Sequence, residues 1–477
     1  MSQYHTVIGL ETHAELNTKT KIFCGCKNEF GSSTNSNVCP VCLGLPGALP
    51  VLNKSVVEYA VRMGLALNCT INSVSRLDRK NYFYPDLPKA YQISQSYVPL
   101  CENGYVEFWY DGQVRTVRIE RIHIEEDAGK LVHSDESADE TYIDFNRCGV
   151  PLIEIVSKPD IESSGEAYAY LKALKAILSY LGICDCKMQE GSIRSDVNVS
   201  LNKYGEPLGT RCEMKNINSF SAVVRAIEYE TKRQTQLLSD GEIIKQQTLR
   251  WDDIKGESFL MRTKENADDY RYFPEPDIPS AYISEQDIGK FSQTIPELPN
   301  VKMIRYISEY GIDSKEAEYI AFNQSIAQFF DECIKTQKHT PKKYCSWIMG
   351  ELAKYLNASQ KELSQTKLTV DVLNDLIDSV DENVISNSAA KTVFAVLLEK
   401  KISVKEIISE LGLSQISDTN ALEAIAKQVL NENEKSVSDY KNGKTNALGF
   451  LVGQCMKLSN NKANPVKMKE IILSLME

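Results

Sequence analysis

The sequence lacks the features that mark a membrane protein or a secreted one. No run of roughly 18 apolar residues occurs, which argues against a membrane-spanning helix. The first residues contain no basic segment followed by an apolar stretch, so we expect no secretory signal. Thirteen cysteines in such a chain predict reduced thiols or metal ligands, not a disulfide framework. Together these absences predict a cytoplasmic protein.

Several catalytic signatures are also missing. The sequence contains neither a Gly-rich dinucleotide fingerprint after a strand nor a nucleophile elbow. Gly443-Lys-Thr445 looks like the end of a Walker A loop, but Ser438 stands where its first glycine belongs. An amidase-like Ser-Lys signature and a Cys-His glutaminase pair are absent as well.

Positive charge is scarce overall but concentrated near the C-terminus. The net charge is -11, whereas a protein that binds nucleic acid over a broad surface is usually basic. Between Lys441 and Lys469 no acidic residue occurs, and the stretch includes Lys444, Lys457 and Lys462. This pattern predicts either a solvated helical face or a local RNA contact.

The order of strand-like and helix-like segments predicts an α+β fold with a mainly antiparallel sheet. Residues 196–201 alternate polar and apolar side chains and precede a turn and a second strand at 211–216, which predicts a hairpin. Helices are expected after Asn53, from Ser163 to Gly182, and over residues 221–238.

Paired prolines at Pro296 and Pro299 mark the end of the strand-rich part. Leucine-rich helical patterns follow, with a second break near residues 402–414. We therefore predict three domains at residues 1–293, 294–405 and 406–477, the last two helical.

Four cysteines form two close pairs, Cys24 with Cys26 and Cys39 with Cys42. Two such pairs across a short loop let four thiolates converge on a tetrahedral metal, which predicts a structural zinc site in a zinc-ribbon-like loop. The first pair is one residue tighter than usual, and four unrelated thiols are the alternative. No ligand position is left open, so zinc would brace the loop and would not catalyse.

Acidic and histidine residues recur on strand-like segments. Glu11 and His13 share a face if residues 7–16 form a strand. Alternation puts His123 with Glu125 on one side of their strand and Glu126 on the other unless a bulge intervenes. A histidine with carboxylates suits magnesium or manganese better than zinc. Surface carboxylates and a buried core histidine are the alternatives.

Further polar residues extend this candidate site. The co-occurrence of Asp196, Asn198 and Glu213 with Glu11 and His13 favours a divalent metal. Glu190 is a further acidic candidate for the same pocket. The basic candidates for nucleotide phosphates are Arg79, Lys80, Arg147, Arg194, Lys215 and Arg271. Salt bridges to the same acids are the alternative for these cations.

Several long motifs together resemble the B subunit of the tRNA-dependent amidotransferase over nearly the whole chain. They are Ile8-Gly-Leu-Glu-Thr-His13, Leu43-Gly-Leu-Pro-Gly47, Asp78-Arg-Lys-Asn-Tyr-Phe-Tyr-Pro-Asp86, Tyr91-Gln-Ile-Ser-Gln95, Glu125-Glu-Asp-Ala-Gly129, Asn146-Arg-Cys-Gly-Val-Pro-Leu-Ile-Glu154, Lys215-Asn-Ile-Asn-Ser-Phe220 and Asp269-Tyr-Arg-Tyr-Phe-Pro274. Their order and separations are far more specific than any one motif. The family implies a cradle-shaped N-terminal domain, a helical domain and a small tail domain.

The resemblance implies an ATP-dependent ligase. Glutamate misacylated on tRNA(Gln), or aspartate on tRNA(Asn), would be phosphorylated on its side-chain carboxylate and then aminated. An amidase-like A subunit would supply ammonia through a channel, and a small C subunit would complete a heterotrimer. A non-catalytic tRNA-binding scaffold and a free-standing amide ligase are the rival hypotheses.

The resemblance also implies site residues. The family's magnesium ligands fall on Glu11, His13 and Glu126, whereas strand alternation alone favours Glu125. Where the two disagree, the resemblance decides for Glu126. The family links its tail domain to the tRNA body, which implies tRNA contacts for the tail lysines Lys441, Lys444, Lys457 and Lys462. Some members lack the four cysteines, so zinc would not be required for chemistry.

Overall fold

The computed structural model describes residues 4–133, 140–263, 267–416, 419–459 and 462–476. Residue contacts divide the chain into two compact units, Met1–Arg305 and Tyr306–Glu477. The first unit contains the sheets and the second is helical. The three-domain division at residues 293 and 405 stays a prediction.

The strands of the described residues all belong to the first unit. In chain order they are β1 (His5–Glu15), β2 (Thr70–Ile71), β3 (Val74–Ser75), β4 (Asp78–Asn81), β5 (Tyr91–Ser94), β6 (Cys101–Tyr110), β7 (Gln113–Glu126), β8 (Lys130–His133), β9 (Thr141–Asp144), β10 (Pro151–Ser157), β11 (Ile193–Asn202), β12 (Cys212–Lys215), β13 (Gln247–Asp252), β14 (Glu257–Thr263), β15 (Phe273–Pro274) and β16 (Ala281–Tyr282).

Nine of these strands form one sheet in the order β14-β13-β12-β11-β1-β10-β7-β6-β2. Its pairings are antiparallel except for β12 with β13, which run parallel. The α+β prediction is therefore confirmed, with a sheet that is mixed. The predicted hairpin is also confirmed, because β11 pairs antiparallel with β12 and places Asn198 opposite Glu213.

The helices of the described residues occur in both units. In chain order they are α1 (Lys54–Ala66), α2 (Ser164–Leu181), α3 (Phe220–Ser239), α4 (Glu285–Ser292), α5 (Pro299–Tyr310), α6 (Ser314–Ala321), α7 (Gln324–Lys335), α8 (Pro341–Trp347), α9 (Ala353–Ser359), α10 (Val370–Asp381), α11 (Asn387–Glu399), α12 (Val404–Glu410), α13 (Thr419–Glu432), α14 (Glu434–Lys441), α15 (Asn446–Leu458) and α16 (Pro465–Met476). Short 3₁₀ turns lie at Phe145–Arg147, Met188–Glu190, Ala267–Tyr270 and Leu363–Gln365, and Ile348–Leu352 is a π-helical turn.

The first three helices begin and end where the sequence indicates. The Asn53 side chain accepts a hydrogen bond from the Ser55 amide, and Ser163 accepts one from the Glu166 amide. Side-chain oxygens at this position satisfy amides that have no partner within the helix. Gly182 ends α2 in the left-handed conformation (φ 65°), which costs a glycine little.

The core of the first unit lies between the large sheet and helices α2 and α3. The even-numbered β1 residues Ile8, Leu10, Thr12 and Ala14 are buried on this side. Leu171, Leu174, Ile177, Leu178 and Leu181 of α2 are buried as well. Each such apolar side chain contributes roughly 1.5–3 kcal/mol by leaving water. With its apolar face buried in this way, β1 turns its odd-numbered side chains to the opposite face of the sheet.

The C-terminal helices of the second unit share a core of their own. It is formed by residues of α13, α15 and α16, among them Leu422, Val429, Leu451, Met468 and Ile472. Exposed lysines of this region include Lys457 on α15, Lys441 at the end of α14 and Lys444 between these two helices.

Candidate functional site

The register of β1 with its two neighbours gathers charged residues on one face of the sheet. Across an antiparallel pair, residues that lie opposite one another project to the same face. His13 lies opposite Arg194 of β11 on one side and Glu154 of β10 on the other. Glu11 lies opposite Asp196, and Glu154 in turn lies opposite His123 of β7. Four strands thus contribute to one polar surface.

Two histidines and two glutamates form the first cluster on this surface. His13 Nε2 lies 3.4 Å from Glu154 Oε2 and 3.6 Å from Glu125 Oε1, and His123 Nε2 lies 3.2 Å from Glu154 Oε2. Ser94 Oγ donates to Glu125 over 3.4 Å. Ligand atoms of His13, Glu125 and Glu154 all lie within 4.8 Å of one another. An imidazole and two carboxylates in this arrangement can surround a single divalent cation.

Electrostatics within this cluster set the charges of its members. Burial alone would raise the pKa of Glu154, but His123 and His13 outweigh it and hold that pKa well below its ordinary value. Burial alone would lower the pKa of His13, but the Glu154 carboxylate outweighs it and raises that pKa. A metal ion bound here would compete with a proton for the His13 ring, because only the neutral imidazole nitrogen binds a metal.

A second cluster consists of Glu11, Asp196 and Glu213, whose oxygens also lie within 4.8 Å of one another. Lys215 Nζ bridges two of them, 2.6 Å from Asp196 Oδ2 and 2.8 Å from Glu213 Oε1. Asn198 Nδ2 donates to Glu11 Oε1 over 3.0 Å. Burial, with Glu154 and Glu213 adding to it, raises the pKa of Glu11. A cation bound beside Glu11 would stabilise its ionised carboxylate.

Both clusters line one cavity of about 390 Å³. Lys80, Arg121 and Arg211 also line it, together with Tyr270 and Tyr272. Lys80 Nζ lies 4.7 Å from the centre of the Tyr270 ring. Burial would lower the pKa of Lys80, but Tyr272 and the cluster carboxylates outweigh it and raise that pKa, so the side chain stays cationic. The cavity therefore presents carboxylates and fixed cations side by side.

The structure does not bring Glu126 to the cluster with Glu11 and His13. β7 alternates without a bulge at this point, so Glu126 projects to the opposite face from Glu125. There it is ion-paired with Lys89 and accepts the Ile93 amide over 2.9 Å. The structure therefore brings Glu125, and not Glu126, together with His13, as strand alternation alone predicts, and the assignment of Glu126 as a magnesium ligand stays a prediction.

Several other predicted residues are engaged elsewhere. Arg79 forms a bidentate pair with Glu275 at 2.7 and 3.0 Å. Arg147 pairs with the buried Asp127, and Arg194 Nη2 lies 3.4 Å from the same carboxylate.

Glu190 faces Lys187 at 3.1 Å, and Arg271 is exposed. Of the six predicted phosphate-binding cations, Lys80 and Lys215 line the 390 Å³ cavity.

The sequence analysis overlooked some cavity residues. Glu154 is the single acidic residue in the apolar strand β10, Pro151–Ser157. Such a pattern indicates a buried strand in which one side chain makes a polar contact. Its significance depends on the pairing of β1 with β10, which no local pattern reveals. Arg121 of β7 and Arg211, just before β12, also line the cavity, and nothing in their local sequence distinguishes them.

The four predicted cysteines converge. Sulfur atoms of Cys24, Cys26, Cys39 and Cys42 all lie within 4.8 Å of one another. Hydrogen bonding from Cys24 lowers the pKa of the Cys42 thiol to about 5 against the effect of burial, with help from the Cys39 amide and Lys21. One thiolate is thus favoured even before a metal binds, as a site for a soft cation requires.

The tail lysines lie at and beyond helix ends. Lys441 is the last residue of α14, Lys457 lies in the last turn of α15, and both are exposed. Lys444 is exposed and pairs with Asp439 at 2.9 Å, and Lys462 is half-buried just before α16. This placement is compatible with both the solvated-face and the RNA-contact interpretation.

Among the described residues, no helix has the combination of length and apolar character that crossing a membrane requires.

Comparison with known proteins identifies two matching families. Residues 6–289 match the GatB/GatE catalytic domain, and residues 328–476 match the GatB domain. Curated relatives that are named as the B subunit of aspartyl/glutamyl-tRNA(Asn/Gln) amidotransferase are similar over nearly the full chain. The one from Caldanaerobacter subterraneus subsp. tengcongensis is 54% identical, with 97% of each chain covered. That from Caldicellulosiruptor saccharolyticus is 52% identical and covers 100% of this chain and 99% of its own.

Proposed function

This chain belongs to the family of amidotransferase B subunits, and from that membership we propose how its cavity works. Its activity is the tRNA-dependent amidation of glutamate on tRNA(Gln) or aspartate on tRNA(Asn). We propose that this chain carries the step in which ATP phosphorylates the side-chain carboxylate, and the step in which ammonia displaces the phosphate. It would act in the cytoplasm.

One observation carries this proposal: two carboxylate clusters and several fixed cations line a single cavity. A carboxylate does not react with ammonia near neutral pH, because oxide is a poor leaving group. Phosphorylation replaces oxide with phosphate, which leaves readily. Two anions, the carboxylate and the triphosphate, must then approach each other, and this requires cations that are already in position.

The donor set fits divalent metal ions. His13, Glu125 and Glu154 would hold one ion, and Glu11, Asp196 and Glu213 a second, because each set presents ligand atoms within 4.8 Å of one another. Carboxylate oxygens are what magnesium prefers. When bound, magnesium would neutralise charge on the phosphates.

The chain's own cations would complete the phosphate site. Lys215 is held by Asp196 and Glu213, and Lys80 is held among tyrosines, so both charges are fixed in the cavity. Arg211 is exposed at the rim, where its guanidinium can form two parallel hydrogen bonds to a phosphate group. These residues bind and orient, and none acts as a nucleophile.

The four-cysteine cluster supports a structural zinc site. Four sulfur atoms within 4.8 Å of one another fill a tetrahedral shell and leave no position for substrate. Zinc would therefore brace the loop between β1 and α1 as part of a cradle-shaped domain.

The remaining parts of the proposal concern partners. Because the chain contains no glutaminase signature, an amidase-like A subunit would release ammonia from glutamine, and a small C subunit would complete the heterotrimer. The helical region would connect the cradle to a tail domain whose lysines contact the tRNA body.

The test separates phosphorylation from amination. The chain, reconstituted with its partner subunits, is given Glu-tRNA(Gln) and ATP without glutamine, and ADP formation is measured. We expect tRNA-dependent ADP release from the wild type and a loss of about 100-fold or more in Glu11→Gln, since the metal ion proposed between Glu11, Asp196 and Glu213 loses a carboxylate ligand. Binding of tRNA by this variant should be unchanged.

Two outcomes would favour the rival functions. Undiminished ADP release by Glu11→Gln would remove the cavity from the reaction and favour a scaffold that only binds tRNA. ADP release on free glutamate without tRNA would favour a free-standing amide ligase.

A further inference from the structure

A lysine with no exposed surface ends beside the four-cysteine cluster. Lys21 is completely buried, yet its Nζ donates to the Asn37 carbonyl oxygen over 2.9 Å and lies 3.8 Å from Cys42 Sγ. Its methylene chain packs near Gly149, where a Cβ would meet Lys21 Cδ at 3.7 Å. The ammonium group therefore faces the cluster and not the solvent.

The backbone fixes Lys21 to the loop that carries two of the cysteines. Its amide donates to the Cys26 carbonyl over 2.9 Å, and Thr20 forms an isolated β-bridge with Lys27. The next amide, of Ile22, donates to the Gly149 carbonyl over 2.9 Å. The lysine thus cannot leave the cluster without opening this loop.

A buried ammonium needs a compensating charge. Desolvation of an unpaired charge costs several kcal/mol in real proteins. Within the described residues, no carboxylate oxygen lies within 4.0 Å of the Lys21 ammonium. The Asn37 carbonyl supplies a dipole only, so the sulfur atoms are the nearest source of negative charge.

A four-thiolate metal centre, in contrast, carries an excess of negative charge. Four thiolates around a divalent ion carry two net negative charges, and here Cys42 is buried while the other three cysteines are half-buried. Hydrogen bonds from neighbouring donors stabilise such thiolates, and their loss typically weakens metal binding by about 10- to 100-fold.

We propose that Lys21 is the resident counter-charge of the four-cysteine centre, and that its ammonium donates to the metal-bound Cys42 sulfur and retains a divalent ion in the site. This inference rests on the zinc part of the proposed function. It makes Lys21 a positioning residue for the metal, with no part in the amidation chemistry.

The proposal predicts that Lys21 and the metal depend on each other. With zinc bound, Lys21→Met removes a favourable charge and should weaken zinc retention. Without zinc, the neighbouring sulfur atoms carry less negative charge than four metal-bound thiolates and compensate the buried cation less, so the same substitution should cost little stability or none. A residue that only filled space would destabilise both forms alike.

The experiment compares four full-length chains: wild type, Lys21→Met, Lys21→Arg and Lys27→Met. Lys27 is the matched control, because it lies in the same loop, is largely exposed and pairs with Glu29 at 3.7 Å. Zinc content is measured by mass spectrometry, zinc release by a chromophoric chelator, and the melting temperature with zinc and after chelation under reducing conditions.

The expected result is zinc release about 10-fold faster or more in Lys21→Met, with Lys21→Arg near the wild type and Lys27→Met unchanged. The melting temperature of Lys21→Met should fall only in the zinc-bound form. If Lys21→Met does not fold without zinc, or loses the same number of degrees in both forms, the counter-charge role is wrong. A wild-type chain that binds no zinc would instead overturn the zinc part of the proposed function, and this inference with it.

Discussion

The cavity of the large sheet and the C-terminal helices both gather charged side chains, but they hold them in different ways. In the cavity, backbone register places several charges opposite one another. His13 and Glu154 are cross-strand partners, and their side chains meet at 3.4 Å. Most of these groups are partly or fully buried, so their charges are coupled strongly enough to move each other's pKa.

The lysines of the tail have no such framework. Lys441 and Lys457 project from helix ends into solvent, and Lys444 has a single partner, Asp439. Exposed charges of this kind interact weakly and are screened by salt. The comparison indicates that the effect of a charge in the cavity depends on its position, whereas the effect of the tail lysines depends on how many there are.

The largest expected effect tests whether position decides function in the cavity. Glu125 and Glu126 are neighbours in sequence but lie on opposite faces of β7. We expect Glu125→Gln to lower tRNA-dependent ADP formation by about 100- to 1000-fold, because the metal ion that would offset the phosphate charge loses one of its carboxylate ligands. Glu126→Gln should keep the activity of each folded molecule within a few-fold of the wild type.

The free energy of unfolding should rank the two variants in the reverse order, with the larger loss in Glu126→Gln. Glu126→Gln leaves the largely buried Lys89 without its partner, which costs about 3 kcal/mol in urea unfolding. Glu125→Gln should destabilise the fold less, because Glu154 still pairs with both His13 and His123 and the introduced glutamine side chain can still accept from Ser94. Equal losses of ADP formation in the two variants would mean that position on the strand does not decide the role.

Local patterns were sufficient to predict part of this arrangement. Alternation puts Glu11 with His13 on one face of β1, and the structure has them there. Caps at Asn53 and Ser163 predicted the starts of two helices correctly, because the capping bond is made within a few residues. For Glu125 and Glu126, alternation described the structure better than the family resemblance did.

The rest required contacts between residues far apart in sequence. Glu154 joins His13 only because β10 pairs with β1, and the parallel pairing of β12 with β13 leaves no local signal. The sequence predicts that Arg79 binds the nucleotide. In the structure its guanidinium donates two hydrogen bonds to Glu275, which is distant in sequence. Sequence reveals that a cation is present, and only the fold determines which anion it meets.

A smaller effect is expected at the edge of the charged network. Burial, with the neighbouring Asp127, raises the pKa of Glu15 to about 7. The folded chain therefore binds this proton more tightly than the unfolded chain, whose glutamates titrate near about 4.3. The free energy of unfolding should fall as pH rises from about 4.5 to about 7, and Glu15→Gln should remove on the order of 2 kcal/mol of that fall.

Urea unfolding followed by tryptophan fluorescence at pH 5 and pH 7.5 measures this difference. Glu206→Gln, exposed in the turn after β11, is the matched control and should leave the pH dependence unchanged. If Glu15→Gln and wild type lose the same stability between the two pH values, then charges at this edge are as solvated as those of the tail.

The smallest effect is expected in the tail, where charges act by number. Lys457→Glu combined with Lys462→Glu should weaken tRNA binding about tenfold or less, and should reduce the slope of log affinity against log salt by about 1.8, since each phosphate contact contributes about 0.9. Filter binding over a range of salt concentrations measures both the affinity and the slope.

The control is Lys427→Glu with Lys435→Glu, which changes the charge equally on α13 and α14, where Lys427 already pairs with Glu423 at 3.3 Å. An unchanged slope in the first double variant would mean that these two lysines do not contact phosphate. Equal slope changes in both double variants would mean that the tail attracts RNA through its net charge alone. The tail would then differ most from the cavity, where the position of each charge matters.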